Sequence, residues 1–203
     1  MRARVVVGLI FVGLVLGIHP AAPAHPITWS DGSDSRDPSR EMEIRRVAQD
    51  HEVYGGRRQV VFRIRTHGDM TEQRLGYNEG DGWPIFIRFN TDSDDVIEKL
   101  LHVDGEPDPD GGYTLRVEVW GRPVQGAGSP AYRRFLGYGT LARPAADRVV
   151  IRFPARLIGA RRDEKFRWSV ATSWDDEDES ATCGCDVVSY DYAPGNGYRR
   201  GHV

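Results

Sequence analysis

Cysteine is nearly absent from this chain: Cys183 and Cys185 are the only two in 203 residues. With no histidine beside them they amount to half a structural zinc site at best. Lysine is almost missing as well, since Lys99 and Lys165 are the only two among 27 basic residues. That arginine excess fits a GC-rich coding genome better than a special ligand. No stretch carries a sustained helical period. A nucleophile elbow, a phosphate-binding P-loop, a zinc-binding helix motif and a dinucleotide fingerprint are all lacking, so no catalytic constellation is written in the chain. With 30 acidic residues, two neighbouring carboxylates carry little information about a glycosidase acid and base.

What is present begins with an export signal. Arg2 and Arg4 precede an apolar run from Val5 to Ile18, and Ala22-Pro23-Ala24 forms a small-residue cleavage site. The run is shorter than the roughly 20 residues a spanning helix needs, and Pro20 and Pro23 follow it at once. Residues 1–24 are therefore expected to be a signal peptide, and residues 25–203 a secreted product without stable membrane insertion. Cleavage removes Arg2 and Arg4, which leaves 25 basic residues against 30 acidic ones and moves the net charge from -3 to -5. An acidic product argues against nucleic acid and anionic membranes as partners. The length suits a single domain.

Alternation of period two dominates the rest. Val60, Phe62 and Ile64 share one strand face, as do Ile85, Ile87 and Phe89, then Val149, Ile151 and Phe153, then Phe166, Trp168 and Val170. Shorter signals suggest strands at Met42 to Val47, Val96 to Val103, Tyr113 to Val119 and Tyr132 to Tyr138. Gly55-Gly56 marks a turn, the stretch from Asp104 to Gly112 a hairpin connection, and Leu157-Ile158-Gly159 one helical turn. Seven or eight strands without long helices predict an all-β fold, an antiparallel, jelly-roll-like β-sandwich or a related barrel. Residues 25–41 read as an extended arm and residues 175–203 as an irregular tail. Within that tail the run from Asp175 to Glu179 reads as a solvated, self-repelling stretch.

Candidate sites fall into three groups. In an oxidising compartment Cys183 and Cys185 are expected to form a strained disulfide across one residue, with metal ligation or an intermolecular bridge as alternatives. If cleavage follows Ala24, His25 becomes the terminal residue, and its amine and imidazole supply the chelating half of a copper brace. A third nitrogen from His51, His67, His102 or His202 would complete it, which makes a copper-dependent oxidase one alternative and a carboxylate-based glycan hydrolase the other. Trp83, Trp120 and Trp174 fall in or beside expected loops, where aromatic faces hold sugar rings in many sandwich modules. Trp29 also falls in or beside an expected loop, and tryptophans commonly cover sandwich ends as well.

Acidic residues gather in three segments: Asp34, Asp37 and Glu43 in the arm and first strand; Asn90, Asp92, Asp94 and Asp95 after the strand Ile85 to Phe89; Asp186 and Asp191 in the tail. Asn90, Asp92 and Asp94 have the alternate spacing of a calcium loop. However, Asp95 stands where the helix-loop-helix motif wants Gly, and Leu101 where it wants Glu, so any ion site must be assembled from separate segments. The alternative is a set of solvated turns, which Asp and Asn favour.

Several short motifs recur together here: Asp37-Pro38 before a first strand, Phe89 to Asp95, Ile151 to Ile158, Phe166 to Trp174, and a Cys185-Asp186 tail reaching Ala193-Pro194. In this the chain resembles a group of secreted bacterial β-sandwich proteins of uncharacterised function. It is similar, more distantly, to DOMON-type and family 9 carbohydrate-binding modules. The resemblance implies a structural calcium held by the acidic arm and the strand-end aspartates, although Asn90 and Glu43 stand where Asp is usual. Taken together, the residues are read as a noncatalytic binding or cell-envelope module whose partner is a glycan or an extracellular protein.

Overall fold

The fold is described by a computed structural model covering residues 26–30, 42–76, 84–91, 97–123, 133–160, 165–175, 188–194 and 199–202. The expected signal peptide, His25, Asp34, Asp37, Trp83, Asp92, Asp94, Asp95, Cys183, Cys185 and Asp186 lie outside the described residues. No described helix is long and apolar enough to cross a membrane.

The described chain is almost entirely antiparallel strand, as the alternation predicts. In order come β1 (Ile27–Ser30), β2 (Ile44–Tyr54), β3 (Arg57–Thr66), a short helix α1 (Glu72–Gly76), β4 (Ile85–Asn90), β5 (Lys99–Pro107), β6 (Tyr113–Pro123), β7 (Arg133–Ala145) and β8 (Arg148–Pro154). A single 3-10 turn at Ala155–Ile158 leads to β9 (Lys165–Asp175), β10 (Val188–Ala193) and β11 (Arg199–His202). The strands hydrogen-bond in the order β1-β2-β3-β8-β7-β6-β5-β4-β9-β10, with β11 also on β9.

One long sheet folds over on itself because β7 belongs to both layers. Its first half pairs with β6 as far as Val117↔Gly139, and from Thr140↔Arg152 onward it pairs with β8. Gly139 sits at that corner. A methyl group there would stand 2.7 Å from the Arg152 carbonyl oxygen and 2.8 Å from Val117 Cγ1, so only a residue without Cβ lets the backbones approach. At the other extreme, Gly55 and Gly56 take φ of 56° and 74°, the left-handed pair that a two-residue hairpin between β2 and β3 requires.

The inner faces fill one core. Phe62 meets Trp168 edge to face with ring centroids 5.2 Å apart, Phe89 packs against Phe153 at 5.5 Å, and Phe166 lies 5.8 Å from Phe89. These rings come from the four strands whose alternation is clearest in the sequence, so hydrophobic patterning carries directly into packing. Trp29 joins them from β1, packed against the core and not set on a loop.

Three expectations change within this class. The arm is partly a strand, since Ile27 to Ser30 pairs with Gln49 to Arg46. The tail is more regular than expected, because β10 and β11 both pair along β9. Finally, β2 runs on to Tyr54, well past the short strand expected at Val47.

Candidate functional site

The predicted site residues that the structure describes separate into three places. The first is the seam where the folded-over sheet meets itself. Thr172 and Asp191 are register partners on β9 and β10. The Thr172 hydroxyl donates to the Met42 carbonyl at 2.6 Å, and one carboxylate oxygen of Asp191 accepts from the Ile44 N–H at 2.5 Å. The other Asp191 oxygen accepts from the Tyr192 N–H at 2.7 Å. Side chains, not a strand ladder, therefore join the start of β2 to the tail. Next to this junction Glu43 is 96% buried, being 4% exposed. Its backbone carbonyl accepts from His67 N–H at 2.9 Å, its Oε1 stands 3.9 Å from His67 Nε2, and its buried Oε2 has no hydrogen-bond partner among the described residues.

The second place is the far end of the same strands. Ile85 pairs with Thr172 whereas Asn90 pairs with Arg167, so five residues of β4 separate the seam from Asn90. At the usual rise that is about 17 Å. Glu43 and Asp191 thus share one end of the sheet while Asn90 lies at the other, so the three described residues of the expected ion site do not meet as one set. Sequence alone could not show this, because it does not say which strand ends become neighbours. Glu98, which the sequence reading passed over, anchors the loop after Asn90: its Oε2 accepts from the Thr91 N–H at 2.6 Å, and its N–H donates to the Phe89 carbonyl at 3.1 Å. Among the described residues no group of three or more His, Cys, Asp or Glu gathers as a metal site would require.

The third place is the outer face of the layer formed by β6, β5, β4 and β9. Val117 and Val119 of β6 turn inward, which sends Glu118 and Trp120 outward. Trp120 is not on a loop: it lies within β6, opposite Leu100 and Phe135. The Trp120 Nε1–H donates to Glu118 Oε2 at 3.0 Å, and His102 Nε2 stands 3.2 Å from the same oxygen. The His102 ring stacks on Trp120 with centroids 6.1 Å apart and a 26° interplanar angle. Phe135 abuts Trp120 at 5.3 Å, and Tyr138 follows Phe135 at 4.8 Å. Phe135 and Tyr138 remain 40% and 59% exposed, although both are aromatic. A half-buried indole locked by a carboxylate thus leads into two open rings. Trp174 is in β9, where its backbone pairs with Ser189.

Phe135 and Tyr138 were visible in the sequence only as a weak aromatic segment. Gly137, with φ of 152°, and Gly139 interrupt its alternation, which hides a strand that changes layers midway.

On the same outer face, Phe86, Leu100 and Ala171 form a small apolar cluster with Tyr192. Arg88 lies over the rings of Phe86 and Tyr192 at 4.9 and 5.6 Å, a cation held on aromatic faces.

No known protein family, characterised protein or solved structure matches this chain.

Proposed function

We propose that this chain is a secreted, noncatalytic β-sandwich binding module, and that it holds sugar rings of a cell-envelope or extracellular glycan on the strip formed by Trp120, Phe135 and Tyr138. The observation that carries the reading is the exposure of Phe135 and Tyr138 beside a Trp120 whose orientation is fixed by Glu118. The C–H faces of a sugar ring stack on such rings, while carboxylate and imidazole groups at the rim accept and donate to its hydroxyls. Glu118 is only 15% exposed and His102 7%, so both act here mainly as braces that hold the indole.

A calcium ion at the seam belongs to the same proposal. Its support is the unpartnered, buried Oε2 of Glu43, since a carboxylate oxygen removed from water normally finds a donor or a cation. The described residues near it supply Glu43 and Asp191, of which only the Asp191 carboxylate oxygens are already engaged with backbone N–H groups. The remaining ligands would come from the acidic segments of the arm and tail.

A glycan array probed with the full chain, followed by affinity electrophoresis on any hit, tests the module. Retarded migration that disappears in Tyr138→Ala and Phe135→Ala is expected. Binding that both variants retain would remove the aromatic strip from the proposal.

A further inference from the structure

The outer face of the opposite layer, formed by β2, β3 and β8, is rich in arginine, and its charges are unevenly matched. Arg63 pairs with Asp50 at 3.2 Å, Arg152 with Glu52 at 2.7 Å and Arg65 with Asp147 at 2.5 Å. Arg45, Arg46 and Arg148 form no ion pair within 4 Å among the described residues, although Arg148 is near enough to Asp147 to favour its charged form. All three belong to one row. Arg46 stands opposite Arg65, and Arg65 opposite Arg148.

A β-bulge adds Arg45 to that row. The register slips between Ile44 and Arg46, with Ile44 opposite Thr66 and Arg46 opposite Arg65. Ile44 and Val47 are both fully buried in the core, whereas Arg45 and Arg46 between them are both exposed. A regular strand would have sent one of two successive side chains inward; the bulge sends both to solvent. Among the described residues only Arg65 of the row is paired, with Asp147, whose carboxyl also feels Arg148, and like charges in cross-strand register repel each other.

We propose that this row, Arg45, Arg46, Arg65 and Arg148, is a second binding site, and that its ligand is an acidic polysaccharide, a linear sugar polymer bearing carboxylate or sulfate groups. The guanidinium fork matches the two oxygens of such groups. From β2 to β8 the row spans two strand spacings, about 10 Å, which suits a chain with recurring charges better than one small oxoanion. The neighbouring outward positions are Ala48 and Asp50 on β2, Val61 and Arg63 on β3, and Val150 and Arg152 on β8. None is aromatic, so unstacked nucleic-acid bases find no platform there. The chain's net charge of -3 opposes the dense negative field of duplex nucleic acid or an anionic bilayer, while the local row remains positive. This site lies on the other layer from the aromatic strip and does not depend on it.

The test compares dextran sulfate with uncharged dextran as probes of the full chain, at low and high salt. Binding to dextran sulfate alone, weakened by salt, is expected. The Arg46→Gln/Arg148→Gln double variant should bind on the order of tenfold more weakly. Arg45→Gln, a change at an exposed bulge residue, should weaken binding in the same direction, which keeps the test informative if the double variant misfolds. No binding at low salt, or equal binding by the arginine variants, overturns the proposal. Tighter binding to duplex DNA or to phosphatidylserine vesicles than to dextran sulfate overturns its assignment to a polysaccharide.

Discussion

The carboxylate of Asp191 accepts a hydrogen bond from the backbone N–H of Ile44, 147 residues earlier in the chain, at 2.5 Å. Asp191→Ala leaves that N–H without its acceptor at a place where the two ends of the sheet meet. The expected loss is about 1–3 kcal/mol, the usual penalty for an unsatisfied, partly buried donor. A lower urea midpoint with an unchanged slope would show it; an unchanged midpoint would mean that the seam is held by something else.

Glu43 offers a test of the ion. With excess chelator, Glu43→Gln should melt no lower than the wild type, since Oε2 makes no hydrogen bond among the described residues that the substitution would break. Added calcium should raise the wild-type midpoint and leave the variant's where it was, because only a ligand bound to the folded form stabilises it with concentration. Parallel responses of the two proteins would separate Glu43 from calcium.

Gly139→Ala attacks the corner of β7. The new methyl group would meet the Arg152 carbonyl and the Val117 side chain at distances that real Cβ atoms do not tolerate, so β7 or β8 must shift. A loss of about 1–3 kcal/mol in denaturant unfolding is expected, in line with overpacking elsewhere. A neutral result would show that the layers can part there without strain.

The Arg65 guanidinium that binds Asp147 holds its carboxyl below the ordinary value of 3.8. Because the folded-state value is depressed, this contact stabilises the fold fully above the unfolded value. That stabilisation is lost as pH falls from about 3.8 through the depressed value. The pair is partly exposed, at 40% and 24%, so the effect is small. Comparing acid unfolding of wild type and Arg65→Gln at low salt measures it: the two stability curves should converge below the depressed value. A gap that stays constant down to the acid limit would contradict the assignment.

The four core strands were legible because each buries an uninterrupted alternate set, such as Ile85, Ile87 and Phe89. The rest was hidden for identifiable reasons. Gln49 faces inward fully buried among apolar neighbours, so the pattern of β2 fades after Val47. In β10, Asp191 takes an inward position because it caps a backbone N–H at the seam, which makes a paired strand read as polar tail. Trp120 reads from the sequence as a loop residue, since its outward position within β6 depends on Val117 and Val119 being core. The acidic segments were visible as composition. The separation of Glu43 and Asp191 from Asn90 along β4 follows from strand register, which composition does not encode.

The bond from Asp191 to Ile44 also orders events during synthesis. The first strands can pair as hairpins soon after they emerge, yet the cylinder stays open on one side until the ribosome has released the polypeptide through Asp191. Any shortened product that stops before that point would carry a raw edge at β9, whose partners β10 and β11 would be missing, ready to recruit another chain.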